Sequence, residues 1–218
     1  MLILGAKGHA KEVFDLLDSS EYSNLCFFDN VSEPKPTELF GYPVLHTLEE
    51  LAQHFRNQAD FILGIGDCGL RHQLQQLAET QGGKATTLVA KSAHLSSSAK
   101  LEEGVSLMAF SFVSADVRLG KSVLVNANAA IHHDCLIGDF VEIGPGAKLL
   151  GNVQVGDFTF VGANATLLPK VKIGSNVVIA AGSMVTQDVP DNCMVAGNPA
   201  QLKKQRIPLH FHDTQRPE

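Results

Sequence analysis

Basic residues are the minority charge in this chain of 218 residues: 17 lysines and arginines face 23 aspartates and glutamates, for a net charge of −6. With a pI near 5.8, that balance argues against nucleic acid or an anionic membrane as the main partner. No apolar run is long enough to span a bilayer. Met1-Leu2-Ile3-Leu4 runs straight into a glycine turn, without the basic start and long apolar core of a signal peptide. Cys26, Cys68, Cys135 and Cys193 are widely spaced and form no CxxC pair, as expected of reduced thiols in a cytoplasmic protein. The full GxGxxG fingerprint is missing too; only Gly5-x-x-Gly8 is present, which alone is a weak signal. Lys203, Lys204 and Arg206, the one short basic cluster, read as part of a solvated tail.

What the chain does have, in place of these features, is a period. Stepping by six from Val89 to Val185 lands only on Val, Leu or Ile. Four residues after each of these stands a small or β-branched residue, as at Val105, Ser111, Ala129, Cys135, Ala147 and Thr159. Glycine often follows the large aliphatic, as at Gly120, Gly138 and Gly156. A period of six matches neither the 3.6 of a helix nor the alternation of a simple strand. It matches a short strand plus a turn, repeated, so that each coil buries its apolar set only against its neighbours. On this reading the large aliphatics fill the interior and the glycines tolerate turns with positive φ.

The chain before the repeat alternates strand and helix, which implies a small parallel α/β domain of Rossmann type. Leu2–Leu4, Leu25–Phe28 and Phe61–Ile65 read as buried strands, and a mobile loop is expected over Val31–Leu39. Thr47 with Glu50 makes a capping box, and Asp67 caps a helix whose apolar face is Leu70, Leu74 and Leu77. Ligands of such sheets bind beyond the carboxyl ends of the strands, where Gly5–His9, Asp29-Asn30 and Gly64–Asp67 converge. The helix start after Gly8 offers free N–H groups to a phosphate. The expected domains are 1–88, α/β; 89–200, β-helix; and 201–218, a tail poorly ordered from Gln205 onward.

One hexad departs from the rest: Ile131-His132-His133-Asp134-Cys135-Leu136. Two histidines and an aspartate at a corner suit proton transfer, because imidazole exchanges its proton near neutral pH. Cys135 stands at the small interior position and reads as core rather than nucleophile. A zinc site would need a third histidine, and His94 lies too far back in the stack. A trimeric scaffold without catalysis is the non-enzymatic alternative.

These motifs resemble the left-handed parallel β-helix acyltransferases with hexapeptide repeats, in particular the sugar-nucleotide and sialic acid acetyltransferases with an N-terminal nucleotide-binding domain. The resemblance runs from the GAxGH-type turn at Gly5 to Ala200, and His133-Asp134-Cys135-Leu136-Ile137-Gly138 matches the family's H-[DE]-C-x-I-G. It implies three hexads per coil, a homotrimer with active sites between subunits, and acetyl-CoA as co-substrate, with no metal. It implies His133 as general base, oriented by Asp134. Gly5, Gly8, His9, Asp29, Asn30, Gly66 and Asn126 would hold the substrate. Asn30 departs from the family's second acidic residue. Eighteen residues, three hexads, separate His133 from Gly151, whose N–H would meet the acyl carbonyl. Gly162, Ala163, Ala181 and Gly182 would line the cofactor's path, with Glu142 where the family often has a histidine. The implied activity is acetylation of a nucleotide-linked 4-amino-4,6-dideoxy sugar, UDP being the nucleotide favoured, in bacterial glycan synthesis. A sialic acid type O-acetyltransferase is the second enzymatic reading.

Overall fold

A computed structural model describes residues 1–17 and 24–209. Its first part is a six-stranded sheet in the order β3-β4-β2-β1-β5-β6. The strands are β1 (Leu2–Leu4), β2 (Cys26–Phe28), β3 (Glu38–Leu39), β4 (Tyr42–Leu45), β5 (Asp60–Leu63) and β6 (Lys84–Ala85). All pairings are parallel except the hairpin of β3 with β4. That hairpin corrects the expected mobile loop, since Glu38 and Leu39 pair with Pro43 and Tyr42.

The helices are α1 (Gly8–Leu16), α2 (Leu48–Asn57) and α3 (Cys68–Thr80). Thr47 and Glu50 close the capping box on α2, and Asp67 Oδ1 accepts from the Leu70 N–H to start α3. The buried stripe of α3 departs from expectation. Leu70 is 53% exposed, while Cys68, Arg71, Gln75 and Ala78 are buried. The reason is what the stripe meets in the second domain: Cys68 and Arg71 donate to its carbonyls and Gln75 accepts from the Ser122 hydroxyl, while Leu74 and Leu77 pack as expected, beside Ala78 on the α/β core.

From Leu88 the chain winds into a parallel β-helix of two-residue strands, each paired with the strand 18 residues on, as Ser106 with Leu124 and Leu124 with Glu142. Three hexads therefore make one coil, with three faces. The first face runs through Leu124–Val125 and Glu142–Ile143, the second through Ala130–Ile131 and Lys148–Leu149, the third through Leu136–Ile137 and Gln154–Val155. The large aliphatics from Leu107 to Val185 are buried along the prism axis. Val89 and Leu95, at the open end, remain 42% and 37% exposed because no coil precedes them to cover them.

Positive φ falls elsewhere than expected. It recurs every six residues from Phe110 to Asn176 at the residue just before the small interior one. The glycines after the aliphatics instead permit close stacking: a Cβ on Gly120 would lie 2.4 Å from Asp139 Oδ1, and one on Gly156 would lie 2.6 Å from the Ser175 nitrogen.

The chain closes with Cys193–Gly197, parallel to Val178–Ile179, and Ala200–Gln205 folded back antiparallel on it. Residues 201–205 are thus strand rather than tail; residues 210–218 of the expected tail lie outside the described residues.

The two parts share a core. Met1, Ile3, Val13 and Phe27 pack with Leu88, Met108 and Leu124 of the first face. The edge between the third and first faces packs on α3, where Phe140 and Phe158 stack at 5.5 Å and His72 meets both rings edge-on.

Candidate active site

His133 and Asp134 occupy the edge between the second and third faces. Adjacent residues on a straight strand point to opposite sides. Asp134, at φ 61°, adopts the left-handed conformation of its hexad position, and this turns its carboxylate back to the imidazole. His133 Nδ1 stands 2.7 Å from Asp134 Oδ2, with both side chains more than half exposed. An ionised carboxylate can only accept, so Nδ1 carries the hydrogen and Nε2 keeps its lone pair free. That tautomer is the one a general base requires.

Gly151 lies one coil on, directly beneath the ring: a Cβ there would come within 2.6 Å of Cε1 and Nε2 of His133. The residue must be glycine for the imidazole to lie where it does. The Asn152 N–H holds the His133 carbonyl at 2.9 Å. Cys135 faces inward, its thiol pushed up to about 11 by burial and directed at the Leu150 carbonyl 3.2 Å away. That environment disfavours the thiolate and leaves the cysteine a packing role. His132 is half-buried beside Phe112, whose ring stacks on His94.

At the carboxyl ends of the α/β strands lies a cavity of about 430 Å³ lined by Gly5, Lys7, His9, Asp29, Asn30 and Leu74, among others. Gly5 has φ 122°, and a Cβ there would strike the Gly64 carbonyl at 2.7 Å, so neither its conformation nor its space admits a side chain. Nothing lies within 4 Å of where a Gly8 Cβ would be. His9 Nδ1 contacts Glu12 at 3.1 Å while its buried Nε2 has no partner, and burial lowers its pKa. Burial works to raise the Asp29 pKa, but hydrogen bonds from Ser32 and Val31 outweigh it and hold the carboxylate ionised. Asp29 is thus engaged by its own turn.

Between this domain and the first face sits a pair of charges that sequence reasoning did not join. Arg71, 1% exposed, donates to the carbonyls of Gly66 (2.6 Å), Phe140 (2.9 Å) and Val141 (3.0 Å). Its Nη1 stands 4.0 Å from Glu142 Oε2, an ion pair too long for a hydrogen bond. Glu142 is 9% exposed, and burial pushes its carboxyl up to about 7 against the lowering pull of Arg71, with Asp67 raising it further. Asn126, whose Oδ1 accepts from the Ala127 N–H at 2.8 Å, exerts a smaller lowering influence on it. Arg71 was overlooked, although its spacing of four from Gln75, on one stripe with Cys68 and Ala78, marks a polar seam that a buried helix face needs a reason to carry.

The expected site residues therefore form two groups. Gly66, Asn126 and Glu142 gather between the domains, with the cavity of Gly5, His9, Asp29 and Asn30 adjoining through the shared strand ends. Gly162, Ala163, Ala181 and Gly182 continue along the edge that carries Asn126. His133, Asp134 and Gly151 stand on the edge opposite the first face. A single protomer does not bring these groups together. Among the described residues, no group of three or more His, Cys, Asp or Glu is placed to hold a metal ion, and no helix is long and apolar enough to cross a membrane.

An α/β domain welded to a hexapeptide β-helix with a histidine–carboxylate pair at one edge defines a hexapeptide acyltransferase. Residues 1–77 match the PglD N-terminal domain, and residues 116–151 and 152–187 match the bacterial transferase hexapeptide (six repeats). Among solved structures, a variant of GDP-perosamine N-acetyltransferase from Caulobacter crescentus in complex with CoA and GDP-perosamine is 30% identical. The match covers 94% of this chain and 96% of that one, with a TM-score of 0.85. The acetyltransferase domain of PglB from Neisseria gonorrhoeae FA1090, in complex with acetyl coenzyme A, is 33% identical over 93% of this chain and 98% of that one, with a TM-score of 0.86. WeeI from Acinetobacter baumannii AYE is 28% identical over 93% and 98%, with a TM-score of 0.84. No curated protein sequence matches. The chain belongs to the left-handed β-helix sugar acetyltransferases that carry a PglD-type N-terminal domain, and it is an acyltransferase.

Proposed function

We propose that this protein transfers the acetyl group of acetyl-CoA to the amine of a nucleotide-linked 4-amino-4,6-dideoxy sugar. UDP is the nucleotide the family resemblance favours, and GDP is the one in the similar perosamine enzyme. The reaction serves bacterial glycan synthesis in the cytoplasm. The observation that carries the reading is the His133–Asp134 pair seated on Gly151, an exposed imidazole with its basic nitrogen free.

In this reading the nucleotide lies in the cavity at Gly5, His9, Asp29 and Asn30, with its phosphates toward the start of α1. The acetyl-CoA chain follows the edge of small residues at Gly162, Ala163, Ala181 and Gly182. The protein works as a homotrimer, in which the His133 edge of one protomer closes on the Asn126 edge and nucleotide cleft of the next. What supports this arrangement is the separation of the two groups within one chain: they can act on one substrate only across an interface between copies. The sugar nitrogen then attacks the thioester carbonyl, His133 Nε2 takes its proton, and the C–S bond breaks. In this reading the Gly151 N–H receives the developing oxyanion.

Incubation with acetyl-CoA and GDP-, UDP- and dTDP-linked 4-amino-4,6-dideoxyhexoses, following free thiol, tests the reading. Thiol release with one of them is expected. Inertness with all of them, alongside acetylation of a free sialic acid hydroxyl, would establish the O-acetyltransferase reading instead. No turnover with any acceptor would leave a trimeric scaffold.

A further inference from the structure

The buried carboxyl between the domains has no assigned task in that reaction, and its surroundings specify one. Glu142 stands on the first face, and both its oxygens lie within 3.5–3.6 Å of where a Gly66 Cβ would be. Gly66 follows β5, at the carboxyl end of the sheet where ligands of such folds bind. On its other side Glu142 borders a cavity of about 340 Å³ shared with Asp67, Asn176, Phe160 and Arg206.

An ionised carboxylate accepts about four hydrogen bonds, and this one receives few. Asn126 turns its Oδ1 to the Ala127 N–H at 2.8 Å, and its influence on the Glu142 carboxyl is the smallest of those acting on it. Arg71 spends its two terminal nitrogens on three backbone carbonyls and keeps 4.0 Å from the carboxylate. The charged and titratable groups facing Glu142 are Arg71 and Cys68 on α3, Asp67 at its cap, and Arg206 from the C-terminal segment. Cys68, its thiol pushed up to about 11 by burial, stays neutral. A buried acid with lone pairs unfilled, beside an open space and next to the substrate end of the sheet, suits a compact cation with several donors.

We propose that Glu142 receives the ammonium group of the sugar acceptor and takes its first proton, so that amines are selected over hydroxyls and presented as free bases. This rests on the N-acetyltransferase reading above. The step balances as R–NH₃⁺ plus Glu142 carboxylate giving R–NH₂ plus Glu142 carboxylic acid. The neutral nitrogen then forms its bond to the acetyl carbon as the C–S bond breaks. His133 removes the second proton, and the thiolate leaves to become free CoA thiol. A carboxyl that titrates close to neutrality can return its proton to solvent each cycle, which one near the ordinary carboxylate range does with less driving force for the uptake step.

Two measurements test the assignment. Wild-type protein is titrated at pH 7.5, where the Glu142 carboxyl is largely ionised, by calorimetry with GDP- and UDP-linked 4-amino-4,6-dideoxyhexose and with the matching 4-hydroxy sugar nucleotides. Tighter binding of the amine by about tenfold is expected. Equal affinities would overturn the proposal without any variant having to fold. In turnover, Glu142→Gln should lose about tenfold or more in kcat/KM for the amine at pH 7.5, where the wild-type carboxyl is largely ionised, and recover toward wild type as pH rises past the acceptor's own pKa, since the first proton is then already gone. A Glu142→Gln profile parallel to wild type at every pH, with wild type active on the amine, would overturn this inference alone. Wild type inactive on every amine would overturn the N-acetyltransferase reading, and this inference with it.

Discussion

The imidazole of His133 lies on the α-carbon of Gly151, so closely that a single methyl group there would overlap its ring at 2.6 Å. The two residues are 18 apart in sequence and one rung apart in space, as the neighbouring Ile131↔Leu149 pairing requires.

Gly151→Ala should therefore act on the histidine rather than on the coil. The added methyl forces the ring off its position while the backbone stays paired. We expect a fall in kcat of about 10²-fold or more, a loss of the order seen when a catalytic group is misplaced. Thermal unfolding and the circular dichroism of the β-helix should change little. Normal turnover in this variant would mean that the imidazole works from a different rotamer.

His133→Ala should lower kcat by about 10²- to 10⁴-fold, the range for removing a general base. Asp134→Asn should cost less, because the amide can still contact Nδ1, but it no longer selects the tautomer with Nε2 free. Steady-state kinetics with the amine acceptor measures both. His132→Ala, whose ring leans on Phe112 instead, should stay near wild type.

Glu142 also leaves a mark on stability. Its pKa rises from 4.5 to about 7 on folding, so between those values the folded protein holds a proton that the unfolded chain has released. Stability contributed by this group is highest below pH 4.5 and declines as pH climbs to about 7. Glu142→Gln removes the dependence. Compared with wild type, the variant should be more stable at pH 8 by an amount on the order of 1–3 kcal/mol, and the difference should shrink toward pH 5. Paired denaturant titrations at the two pH values would read it, and a constant difference would contradict it.

Arg71→Met removes the donor to three carbonyls and leaves Glu142 without its nearest positive charge. Breaking a buried pair from one side costs about 3–5 kcal/mol. Because the bonds from α3 to Phe140 and Val141 join the two parts of the chain, we expect the α/β domain to unfold at lower temperature than the β-helix. Calorimetry should then resolve two transitions.

The sequence alone carried the β-helix, because its period reports directly which side chains face inward; the burial of Leu107, Val125 and Leu149 follows from spacing. His133 and Asp134 were legible for the same reason: they interrupt a pattern. What spacing could not carry is the direction of turns. Positive φ was assigned to the glycines after each aliphatic, whereas it belongs to residues such as Asp134, Asn152 and even Phe140, where stacking on Phe158 compensates an unfavourable backbone. Arg71 was missed because a lone arginine on a helix ordinarily lies in water. Only the carbonyls of Phe140 and Val141, 69 and 70 residues on, explain its burial. Glu142 is expected among the cofactor's contacts by resemblance alone, and its place against Gly66, between the domains, is set by folding that spacing does not report.

Each coil spends 18 residues to advance one strand spacing, about 4.8 Å. The height of the imidazole above the nucleotide-binding domain is therefore a whole number of rungs. Inserting or deleting a residue anywhere between Met108 and His133 cannot adjust it by a fraction, because every aliphatic beyond the change would rotate out of the prism. Lineages built on this frame can fit longer or shorter acceptors only by gaining or losing a complete turn, or by reshaping the loops that hold the sugar.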